Sequence, residues 1–72
     1  MTAHAYFLVL CFFNGPCGVV QMDVNAQTCN KTLAAFELSE ALLVKNGRER
    51  TVALAQCRDM GDGKLLAQFA PH

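Results

Sequence analysis

Seventy-two residues, 53% of them apolar, make one domain that is small for the core it has to bury. Six basic side chains balance six acidic ones, and a formal net charge of zero excludes the cationic surplus on which non-specific nucleic-acid binding rests. The same balance speaks against an anchor on an acidic membrane and leaves no charge repulsion between copies of the chain.

The first element is residues 5–13, nine apolar residues in succession, dense in aromatic and β-branched types. The run is far short of the roughly 20 residues that a membrane-spanning helix needs. It also lacks the marks of an export signal: of basic character only His4 precedes it, and no small-residue cleavage site follows. Leu10 stands before Cys11 where a lipoprotein cleavage box needs a small residue. The run therefore reads as a strand covered on both faces, in a cytoplasmic protein whose thiols stay reduced. Asn14-Gly15 is a hairpin signal, and Pro16, which has no N–H, delays pairing to Cys17 or beyond.

Residues 18–24 alternate, with Val20, Met22 and Val24 on one side and Gln21 and Asp23 on the other, the pattern of a half-buried strand. Asn25 is placed to cap a helix starting at Ala26, whose apolar stripe is Cys29, Leu33 and Phe36. The helix is expected to reach Leu43 or Val44 and to stop at Gly47. Glu40 falls on the stripe while Leu38 and Leu42 fall opposite it, which points to a bend or break near Ser39. A rival reading turns Leu42, Leu43 and Val44 into a strand that reverses at Asn46-Gly47. It sets Val44 against Glu49 and Leu43 against Arg50, matching no buried face. Residues 51–57 form the next strand, Asp62-Gly63 a turn, and residues 64–70 either a short last strand or a loose arm.

The expected fold is α+β: an antiparallel sheet of three or four strands, ββαβ or ββαββ, with one helix packed on one face. A right-handed return through the helix puts the third strand beside the first, giving the order 2-1-3 with the first strand central. The far face of the sheet is then bare. It can be capped by residues 64–70, with Leu65, Leu66 and Phe69 as the cover, or by a partner.

Chemistry-bearing residues are few. Five, eleven and twenty-seven residues lie between successive cysteines at positions Cys11, Cys17, Cys29 and Cys57, so no C-x-x-C pair marks a zinc or redox motif. Cys11 and Cys17 flank the first turn and can bridge it. Cys29 can reach Cys57 or Cys11. Reduced thiols serving as small buried apolar groups are the plainer expectation. A cysteine nucleophile needs a base, and the only histidines are His4 and His72 at the two ends. Ser39, the only serine, lies within the helix. Lys45, Arg48 and Arg50 cluster around Asn46-Gly47 with Glu49 among them, which reads as a solvated loop whose cations suit a helix C-terminus. Asp59 and Asp62, beside Gly61 and Gly63, lack the calcium-loop ligand pattern and read as a turn. No residue is assigned a catalytic, cofactor-binding or metal-ligating role.

The run Cys11-Phe-Phe-Asn-Gly15-Pro-Cys17, followed by Val19-Val20, by Cys29 early in a helix ahead of Ala34-Ala35, and by Cys57 in a late strand, resembles a family of short, uncharacterised four-cysteine proteins encoded mainly in prophages of enteric bacteria. The resemblance covers residues 6–57. In that family the turn reads Thr-Gly-Glu-Cys and the last cysteine lies near Tyr-Pro. Here Asn14 and Pro16 take the places of Thr and Glu, and Arg58 follows Cys57. No activity comes with the family. The resemblance implies a phage-borne accessory protein that binds a host component. The expectation is thus a small non-catalytic protein that acts on a host protein through its surface, without cofactor, nucleic acid or membrane. The alternative is a structural module that forms a homodimer through its apolar sheet face.

Overall fold

The structure is a computed structural model, and it describes residues 4–70. Its elements run β1 (Tyr6–Phe12), β2 (Cys17–Val24), α1 (Ala26–Lys45), β3 (Val52–Asp59) and β4 (Leu65–Phe69). They form one antiparallel sheet in the order β2-β1-β3-β4, with the helix packed on it, so the α+β architecture is as expected and β1 is central. Residues 64–70 do not fold across the bare face. They add β4 at the edge of β3, pairing Phe69 with Ala55 and Ala67 with Cys57.

Local chemistry sets the element ends. The Asn25 side-chain oxygen accepts the Thr28 N–H at 2.7 Å, which satisfies one of the free donors of the first helical turn. At the other end the Asn46 N–H donates to the Leu42 carbonyl at 3.0 Å, and Gly47 takes φ 74°, a conformation that suits a residue without Cβ. The helix passes Ser39 unbroken, so neither the expected break nor the rival strand at Leu42 to Val44 is formed. Its core side contributes Cys29 and Leu33, which pack with Leu8 and Leu10 of β1 and with Val52, Ala55 and Cys57 of β3. Tyr6, Val24, Phe36, Ala67 and Phe69 close the rim of this cluster.

Glu40 accounts for the unbroken helix. It is only 2% exposed, yet its carboxyl group is fully employed. Oε1 accepts the Thr51 N–H at 3.0 Å and the Thr51 hydroxyl at 2.8 Å, and it also accepts the Val52 N–H. These donors open β3 at the point where its pairing with β1 slips by one residue between Cys11 and Phe12. A polar side chain on the buried stripe thus ties α1 to the first residues of β3 and meets the rule that buried polar groups are paired.

β2 departs from the expected facing. Val20 and Met22 are 50% and 59% exposed, whereas Gln21 lies opposite the fully buried Leu8 and its Oε1 is buried without a hydrogen-bond partner. Two register shifts against β1 and a positive φ of 59° at Asp23 explain this. Each extra residue in a bulge turns the following side chains over, so strict alternation is not kept along the strand. Val24 returns to the rim of the core.

The thiols also differ from the expectation of reduced groups. Cys29 bridges to Cys57 across the core between α1 and β3, and Cys11 bridges to Cys17 between the facing ends of β1 and β2. Among the described residues no cysteine is left free and no helix is long and apolar enough to cross a membrane.

Candidate functional site

Partners across an antiparallel ladder share a face, so the register divides the sheet into two surfaces. Leu8, Leu10, Ala55 and Cys57 face the helix. The opposite surface therefore carries Phe7 and Arg58 in one row, Val19, Val9, Gln56 and Gln68 in the next, and Cys17, Cys11 and Leu54 in the third. Among the described residues no element packs over it: the single helix lies on the other side.

This surface has two halves. On β1 and β2 it is apolar, built from Phe7, Val9, Val19 and the Cys11–Cys17 bridge, with Val19 49% exposed. On β3 and β4, apart from Leu54 beside the bridge, it is polar and internally bonded. The Gln56 side-chain N–H donates to Gln68 Oε1 at 3.0 Å, Arg58 Nε donates to Gln56 Oε1 at 3.0 Å, and an Arg58 terminal N–H donates to the Gly63 carbonyl at 2.7 Å. The chain of bonds fixes the guanidinium and joins β3, β4 and their turn. The sequence reading passed over it, although the alternation of Leu54, Gln56 and Arg58 with Ala55 and Cys57 carries the signal.

At one end of the sheet Phe12 and Phe13, 41% and 55% exposed, line a cleft together with Gly15, Glu49 and Arg50. Arg50 thus lines the cleft at the hairpin tip, while Lys45 stays in the last helical turn. At the other end lies Asp59. Its Oδ1 accepts the Gly61 N–H at 2.6 Å and its Oδ2 meets His4 Nδ1 at 2.7 Å. The Gly61 N–H holds the Asp59 carboxyl below the ordinary carboxylate range, against the opposing push of burial, and His4 and the Asp62 N–H add to the lowering. The carboxyl organises the turn between β3 and β4, as the reading of Asp59 and Asp62 as a turn expects. Gly63 there has φ 74° and donates its N–H to the Asp59 carbonyl at 2.9 Å.

Among the described residues no cysteine is placed as a free nucleophile beside a base. All four sulfurs are bridged, and His4 is engaged by Asp59. His72, the other histidine considered with the thiols, lies outside the described residues. Among the described residues no group of three His, Cys, Asp or Glu side chains converges as a metal site. No protein-family model, no curated protein and no solved structure matches the chain.

Proposed function

We propose that the chain is a small non-catalytic binding protein that engages a protein partner through the uncovered face of its sheet, the partner being a host protein if the prophage resemblance is followed. The observation that supports this reading most is the apolar half-face of Phe7, Val9 and Val19, left open opposite the helix. A contiguous exposed apolar patch is a usual mark of an interaction site. The hydrogen-bonded row of Arg58, Gln56 and Gln68 beside it supplies the polar rim that such sites carry. The test uses Val19→Glu, which puts a charge on the patch without entering the core. Tagged wild-type protein is expected to retain a partner from enteric-bacterial lysate that Val19→Glu loses while its circular dichroism is unchanged. Identical captures by the two proteins overturn the assignment of the face.

A second reading, self-association through the same face, is favoured by the zero formal net charge, which sets no repulsion between copies. As for compartment, the cytoplasm remains the proposal, and its thiol pool acts against disulfides. The accessibility of each bridge then decides its fate.

A further inference from the structure

The two disulfides differ in a way that their sequence positions do not show. Cys29 and Cys57 are both 0% exposed, enclosed by Leu8, Leu33 and Ala55. Cys17 is exposed and Cys11 half-buried, on the open face at the end of the sheet, next to the turn that holds Asn14 and Gly15. Thiol–disulfide exchange requires a thiolate to approach one sulfur in line with the bond, so access governs it. The core bridge can be reached only when the domain opens, whereas the hairpin bridge is reachable in the folded state.

We propose that Cys11–Cys17 is a thiol-exchange site whose co-reactant is a low-molecular-weight thiol or dithiol. The reductant's thiolate attacks Sγ of Cys17, the more exposed residue of the pair. A mixed disulfide forms there as the Cys11–Cys17 bond breaks, and the bond's electron pair leaves on Cys11 Sγ, which takes a proton from water. A second reductant thiolate attacks the reductant's sulfur in the mixed disulfide and releases Cys17 as a thiolate, which also takes a proton from water. The reductant leaves as its own disulfide, so two electrons have passed from two thiols into the protein bridge. The products are two neighbouring thiols facing each other across β1 and β2, and reverse exchange with the reductant's disulfide re-forms the bridge.

The fold tolerates this step. Neither Cys11 nor Cys17 belongs to the core cluster, and reduction leaves the pairings of Leu10 with Gly18 and of Val9 with Val19 to hold the hairpin. The bridge lies at the end of the same open face, so a docked partner would cover it; the exchange is a property of the unbound protein and is tested on it.

The test treats folded wild-type protein with graded dithiothreitol in the absence of denaturant, quenches with iodoacetamide, and reads intact mass and peptide maps while circular dichroism follows the fold. The expected result is a folded species alkylated at Cys11 and Cys17 only, with the Cys29–Cys57 bridge intact and reduced at least about tenfold more slowly. Loss of both bridges in one step, loss of the core bridge first, or no alkylation before the fold is lost would each overturn the proposal. A Cys11→Ser, Cys17→Ser double variant supplies the second readout. Persistence of a reductant response in its folded state at concentrations that spare Cys29–Cys57 in wild type assigns that response elsewhere.

Discussion

Replacing Glu40 by alanine removes the one acceptor shared by the Thr51 N–H, the Val52 N–H and the Thr51 hydroxyl. A buried donor without a partner costs about 1–3 kcal/mol, so Glu40→Ala is expected to destabilise the domain by about 3 kcal/mol in denaturant titration. Glu40→Gln keeps a carbonyl oxygen at the site and is expected to cost about 1 kcal/mol. Equal stability of Glu40→Ala and wild type would mean that these bonds are not formed. The residue was visible beforehand as an acid on the apolar stripe of the helix. Its role was not, because its donors lie in a strand that begins after the next loop. A carboxyl on a buried face has two resolutions, a helix that bends away or a donor brought from elsewhere, and only tertiary packing chooses between them.

The turn between β3 and β4 rests on a titratable group. The Asp59 carboxyl is held below the ordinary range chiefly by the Gly61 N–H and, after the counter-effect of burial, by His4. A carboxyl with a depressed native pKa stabilises the fold above the ordinary range, and that contribution is lost as pH falls through the native value. Wild type is therefore expected to lose stability on acidification below about pH 4, and its advantage over Asp59→Asn to shrink across the same window. A constant difference between the two at every pH would show that the carboxyl is not titrating against the turn.

Elements of this kind were legible wherever their signals are local. Asn25 as a cap, Gly47 as a stop, Asn14-Gly15 and Asp62-Gly63 as turns each act on adjacent backbone, and the structure has each in its place. Phe36, on the stripe as a core anchor, is only half-buried and packs on the rim of the core, not inside it. β2 is the counterexample. Its clean alternation placed Val20 and Met22 inward and Gln21 outward, but register against β1 decides facing, and two bulges reverse it. The apolar and polar halves of the open face could not be drawn for the same reason, since they depend on which residues of β1, β3 and β4 lie side by side.

For the molecule as a whole the central position of β1 followed from one rule of handedness and from its two apolar faces, and the bare surface opposite the helix followed with it. Sedimentation equilibrium over a range of concentrations separates the two occupants considered for that surface. If a second copy covers it, the mass rises toward twice the monomer value and Val19→Glu restores the monomer. A monomer mass at every concentration removes the homodimer and leaves a different protein as the proposed partner. The bulged strand β2 adds a constraint on any such assembly. Fibrils grow when an outer strand offers an unbroken ladder of amide groups to the next chain. Here one outer strand is interrupted by two register shifts and a left-handed Asp23, and the other, β4, is five residues long. Open-ended polymerisation by strand addition is thereby disfavoured, and the broad face is left as the surface for the docking proposed above.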